Sequence, residues 1–169
     1  MHIISTVARV QCADGREPCT ATRDAARCRT HRWHPAHVTD RNVLGGPLEE
    51  CGTEPLTGFY RDGCCTSGPD DIGSHTVCAV VTEQFLAHQR SVGNDLTTPR
   101  PEYAFPGLRP GDRWCVVALR WLQAHEDGAA CPVVLASTNE RALEVIGIDV
   151  LQRYAVDVPG DASSLIPGG

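Results

Sequence analysis

Hydrophobic and polar positions change period several times along the second half of this chain. His75 to Thr82 is a short apolar run rich in β-branched residues. Such a run predicts a buried strand. Glu83 to Arg90 then reads as a helix, with Thr82 placed to cap it and Gly93 to stop it. Arg113 to Leu119 predicts a second strand, running into a helix from Arg120 to Asp127 that Gly128 ends. Cys131 to Ala136 predicts a third short strand. Ser137 and Glu140 have the spacing of a capping box. Beyond them, Arg141 to Ala155 predicts one helix, or two short ones broken at Gly147.

The first forty residues are patterned differently. His2 to Val10 predicts a strand and Thr22 to Arg29 a short helix, but apolar content is otherwise low. Residues 1–40 carry six Arg against four acids, with three Cys and four of the seven His. Cys12, Cys19, Cys28 and His31 could offer a metal ligands, though their spacing fits no standard paired-knuckle pattern. The plainer reading is an Arg-rich, poorly ordered extension. A boundary near Asp40 leaves a main domain over residues 41–158 and a flexible, Gly- and Pro-rich tail over 159–169. The expected architecture is α+β: one compact domain with a small mixed sheet, several short helices and long Gly/Pro-rich loops, plus the N-terminal extension. The 169-residue length agrees with a single domain.

Charge and composition narrow the function classes. A net charge of −6 argues against a nucleic-acid-binding surface. All fifteen basic residues are Arg, which excludes a Schiff-base lysine and a P-loop lysine. Apolar runs such as Cys78 to Val81 and Cys115 to Leu119 are far short of the ~18 residues that suggest a membrane span. The opening residues lack the basic and apolar regions of a secretory signal, so the expectation is a cytosolic protein with reduced thiols. Nine Cys then become candidates for metal binding or thiol catalysis. Cys78, Cys115 and Cys131, each beside Val or Ala, read more plainly as small buried hydrophobes.

The densest constellation of chemistry-bearing residues lies between Cys51 and Cys78. Gly and Pro recur every few residues from Thr57 to His75, making a shaped loop that leads into the predicted strand. In one reading Cys64 or Cys65 is a thiolate nucleophile, His75 its base, Asp70 or Asp71 the group orienting His75, and Arg61 a cation lowering the thiol pKa. In another, Cys51, Cys64, Cys65, His75 and Cys78 supply three or four ligands to zinc. Against this stands the absence of any CxxC pair. In the plainest reading the loop is structural, its Cys buried and His75 capping the strand. A second loop, Asn94 to Pro110, holds four Pro. Arg100, Arg109 and Arg113, with Arg61 from the first loop, could grip a carboxylate or phosphate, or pair with Asp95 and Glu102 instead, with Tyr103, Phe105 and Trp114 walling a pocket. It could equally be a rigid cover whose aromatics pack on the core. GxGxxG, HExxH and GxSxG motifs are absent.

The stretches Asn42 to Gly45, Thr57 to Cys65, His75 to Thr82, Gly93 to Pro101 and Phe105 to Cys115, with Arg120-Trp121 and Pro132 to Leu135, resemble a bacterial family known as domain of unknown function 2237. The resemblance runs from about Asn42 to Asp157 and implies a small α+β domain. It brings no established reaction and no catalytic residues. Members of that family tend to carry Cys where Val117 stands and His where Asn139 stands, so a family site using both would be altered here.

Three functions follow as expectations. The first is a small enzyme acting on a small molecule between the two loops. The second is a non-catalytic zinc-binding or structural module. The third is a protein-interaction domain that uses the loops as its surface.

Overall fold

The computed structural model describes residues 40–103 and 105–157. The strand expected at His2–Val10, the helix near Thr22–Arg29 and the tail from Pro159 lie outside the described residues. At the centre, β1 (Val77–Val80) pairs antiparallel with β2 (Arg113–Val116), placing Cys78 opposite Cys115 and Ala79 opposite Trp114. Side chains alternate across a strand, so each face of this ribbon collects a different set. Val77, Ala79, Trp114 and Val116 enter the main hydrophobic core, whereas Cys78 and Cys115 join Cys51, Cys65 and Val134 in a separate cluster. Burial on both faces explains why β1 reads as a continuous apolar run.

Two helices cover the core face. In α1 (Glu83–Ser91), Thr82 accepts the Phe85 N–H, as its position predicts, and Gly93 takes a left-handed φ of 83° just past the end. In α2 (Ala118–Glu126), Trp121 is fully buried and donates its indole N–H to the Cys131 carbonyl at 3.1 Å. Helix α2 begins two residues earlier than its predicted start, because β2 stops at Val116. The Ala118 N–H turns away from the ladder to the Ser74 carbonyl at 3.0 Å.

The third predicted strand is absent as an element. Val133 makes single bridges, antiparallel to Ala79 and parallel to Ala155, before a 3₁₀ turn at Leu135–Ser137. Pro132 has no N–H to give a ladder, so it contributes only its carbonyl, which accepts from Val80. The capping box also fails. The Ser137 hydroxyl donates to the Glu50 carbonyl at 2.9 Å, and Asn139 instead caps a 3₁₀ helix over Glu140–Glu144. The break at Gly147 is present, with α3 (Ile148–Arg153) following it. A two-stranded antiparallel sheet under short helices is the expected α+β class, its parallel component reduced to one bridge.

The other face of the ribbon is covered by loop rather than helix. Cys51 is disulfide-bonded to Cys78 and Cys65 to Cys115, fastening the 47–75 segment onto both strands. Thr57, fully buried, accepts the Cys115 N–H at 2.7 Å and places the loop's inner turn against β2.

Candidate functional site

The 57–75 loop and the 94–110 loop face each other across a cavity of about 470 Å³. The first loop contributes Gly58, Phe59, Arg61 and His75 to its wall; the second contributes Asp95, Leu96, Arg100, Tyr103 and Phe105. Trp114 and Cys115 of β2 complete it. The shape of each loop follows from local chemistry. Gly58 has φ of 93°, and a Cβ there would stand 2.4 Å from the Cys64 carbonyl oxygen. The second loop is organised by Asp95, whose carboxylate accepts from the N–H and hydroxyl groups of both Thr97 and Thr98. Those bonds hold the Asp95 carboxyl well below the usual carboxylate range. Backbone bonds in both directions between Arg100 and Phe105 close its tip.

His75 and Asp71 form the most specific pair at this cavity. Asp71 Oδ1 lies 2.6 Å from His75 Nδ1, with the Asp71 side chain fully buried and that of His75 one-third exposed. Asp71 Oδ2 accepts the His75 backbone N–H at 2.7 Å. A carboxylate can only accept, so the neutral imidazole carries its proton on Nδ1 and leaves the Nε2 lone pair available. Phe59 packs on the ring at a centroid distance of 5.6 Å. Asp70, the alternative orienting residue in the sequence, is exposed and pairs with neither atom. His75 therefore faces a cavity rather than merely capping β1.

Arg61 stands on the same wall, its guanidinium 4.8 Å from the Trp114 ring centroid. Stacking of this kind holds a guanidinium flat against an aromatic face. Its backbone is left-handed, with φ of 55°, and burial lowers its pKa from the ordinary value. Of the anion-binding candidates, Arg61, Arg100, Tyr103 and Trp114 line the cavity together. Arg109 and Arg113 are exposed and lie outside its lining. Phe59, Leu96 and Cys115 line it without having been singled out as site residues. Phe59 was legible as an aromatic two residues from Arg61; Cys115 was hidden by its plain strand context.

The thiols depart from expectation. Cys65 is bonded to Cys115 and Cys51 to Cys78, and Cys64 is disulfide-bonded as well. Neither Cys64 nor Cys65 is therefore a thiolate beside His75 in this structure, and the expectation of reduced thiols is not met at these positions. Cys78 and Cys115 are not plain buried hydrophobes either. Cys131 is: it is the free cysteine among the described residues, fully buried, with burial pushing its thiol up to about 12.

The five residues of the zinc reading separate into three places. The sulfurs of Cys51, Cys65 and Cys78 all lie within 4.8 Å of one another. His75 lines the cavity and is held by buried Asp71, while Cys64 packs with Leu48. Val117, where the resemblance leads one to expect Cys, stands beside Gly73, as the His75 ring does. Asn139, in place of His, donates to Asp40 and bridges to Asn42, away from the cavity lining. No helix among the described residues is long and apolar enough to cross a membrane.

Fold and site together define a small disulfide-stapled α+β domain with a loop-walled cavity lined by His75, which buried Asp71 holds from behind. A family model described as an uncharacterized protein conserved in bacteria, DUF2237, matches residues 41–155, and the chain belongs to that family. No curated protein matches it.

Proposed function

We propose that the cavity binds a small anionic molecule and that His75, oriented by Asp71, moves a proton at it. The observation that carries this reading is the 2.6 Å contact from buried Asp71 to His75, which lines the cavity together with Arg61 and Arg100. His75 Nε2 accepts a proton from the bound molecule, and the Asp71 carboxylate stabilises the resulting imidazolium, as an orienting acid does in other His-based sites. Arg61 and Arg100 supply the charge that fixes a carboxylate or phosphate. Trp114 and Phe105 exclude water around it, which strengthens both interactions. The thiols take no part in this scheme.

The test is a ligand screen by NMR with paired small carboxylates, phosphates and their neutral isosteres. Anions should shift the His75 ring and Trp114 indole resonances, and Arg61→Gln and Arg100→Gln should each weaken binding about tenfold. His75→Gln should retain the anion but abolish turnover of any bound molecule found to react. Neutral isosteres binding equally well, or anions shifting resonances away from this cavity, would remove the proposal.

A further inference from the structure

We propose that Cys51, Cys65, Cys78 and Cys115, once their two disulfides are reduced, form a tetrathiolate site for zinc. This inference concerns the buried cysteine cluster, of which Cys115 alone also lines the cavity, and does not rest on the cavity reading. Three of the sulfurs already lie within 4.8 Å of one another, and the fourth, Cys115, is bonded to one of them. All four residues are 0–1% exposed and cluster with Val134 and Val80. A tetrahedral zinc site with Zn–S bonds of about 2.3 Å brings its sulfurs to roughly 3.8 Å from each other. The cluster reaches that spacing by side-chain rotation, because the backbones of Cys51, Cys78 and Cys115 are held by bonds other than the sulfur bonds. Cys78 and Cys115 are cross-strand neighbours held by the ladder. The Cys78 N–H donates to the Thr138 hydroxyl and the Cys115 N–H to the Thr57 hydroxyl. The Cys51 N–H donates to the Gly63 carbonyl, tying down the loop that carries the first ligand.

The chemistry balances with a named co-reactant. Each disulfide takes two electrons and two protons from a dithiol reductant, which becomes a disulfide itself. Four thiols result, and zinc binding releases their protons to solvent as four Zn–S bonds form. Soft thiolate donors in a closed, buried, four-ligand arrangement select zinc and leave no open position for substrate, so the site is structural. Zinc and the two disulfides are then alternative staples for the same loop.

The experiment uses the full chain, reduced with a phosphine under anaerobic conditions and titrated with zinc and separately with cobalt(II). The expected result is one metal per reduced chain, none per oxidised chain, and the intense absorption of tetrahedral cobalt thiolate. Cys51→Ser and Cys115→Ser should each weaken zinc binding by at least about a hundredfold, since loss of mere outer-shell partners already costs 10–100-fold. Cys64→Ser, and a variant with Cys12, Cys19 and Cys28 all replaced by Ser, should bind as the parent does. Should reduction unfold the chain, zinc should restore its native circular dichroism. A reduced chain that neither binds zinc nor refolds with it overturns the proposal. So does metal uptake that survives Cys51→Ser or follows the three N-terminal cysteines.

Discussion

Asp71 holds His75 twice, through the backbone N–H at 2.7 Å and through ring Nδ1 at 2.6 Å. Both bonds require an acceptor, and only a carboxylate offers one to each. In Asp71→Asn, one amide oxygen serves one donor and the amide NH₂ faces the other. With the oxygen kept on the backbone N–H, the NH₂ meets Nδ1, and the ring proton moves to Nε2. The tautomer of His75 should therefore invert, which long-range ¹⁵N–¹H correlation spectra of the imidazole report directly. Asp71→Ala leaves a buried N–H without its partner and should lower stability by about 1–3 kcal/mol in urea unfolding. An unchanged tautomer in Asp71→Asn would show that the carboxylate does not set the ring's protonation.

The Cys51–Cys78 and Cys65–Cys115 disulfides join residues 27 and 50 positions apart, so each restrains a substantial loop in the unfolded chain. Replacing Cys51 and Cys78 together by Ala should cost about 2–5 kcal/mol. Replacing Cys65 and Cys115 should cost somewhat more, because the closed loop is longer. Denaturation without reductant measures both. With dithiothreitol present and zinc absent, the difference between parent and variants should largely disappear.

Local signals proved legible wherever one residue's chemistry decides the outcome. Thr82 as a cap, Gly93 as a stop and Gly147 as a break all act through their own backbone or hydroxyl. The pairing of His75 with Asp71 and the meeting of the two loops also follow the residues that the sequence offers. What failed depends on distant partners. Ser137 has the spacing of a cap, but the Glu50 carbonyl, far away in sequence, claims its hydroxyl. Val133 looks like a strand residue, but Pro132 beside it cannot extend a ladder. Cys78 and Cys115 read as plain apolar positions because burial is what their neighbours reveal. Their bonds to Cys51 and Cys65 depend on the register of β1 against β2, and no single stretch of sequence carries that register.

Gly58 supports the cavity wall through a conformation that side chains resist. Gly58→Ala combines a φ of 93° with a Cβ only 2.4 Å from a backbone oxygen of Cys64. Gly45 provides the comparison, since its φ of 81° is equally left-handed but nothing stands within 4 Å. Gly45→Ala should cost roughly 1–2 kcal/mol from conformation alone. Gly58→Ala should cost clearly more and should alter Trp114 fluorescence as the wall shifts. Equal thermal midpoints for the two variants would indicate that the loop at Gly58 yields easily.

Asp95 makes the second loop sensitive to acid. Its carboxyl pKa is depressed by the Thr98 hydroxyl bond first, with the Thr97 backbone and hydroxyl bonds next. A depressed folded pKa gives stability that is present above the ordinary carboxylate range and is lost as pH falls through the folded value. The 94–110 loop should therefore stay closed under mildly acidic conditions and open only at strongly acidic pH. Amide resonances of Thr97 and Thr98 followed down a pH series report this. Asp95→Ala should show the open-loop spectrum already at neutral pH.

Cys131 has the opposite dependence. Burial pushes its thiol from 9.0 up to about 12, while its own carbonyl accepts the indole N–H of Trp121. Between those values the unfolded chain has lost a proton that the native chain keeps. The contribution is whole below about 9 and declines as pH rises toward about 12. Urea midpoints from neutral to alkaline pH should therefore fall more steeply for the parent than for Cys131→Ala, which lacks the titrating group. Iodoacetamide at neutral pH should leave the peptide bearing Cys131 unmodified in the native protein and label it after denaturation, because the reactive thiolate is scarce and the sulfur is out of reach. Parallel pH profiles for the two proteins, or rapid native labelling of that peptide, would show instead that solvent reaches this part of the core.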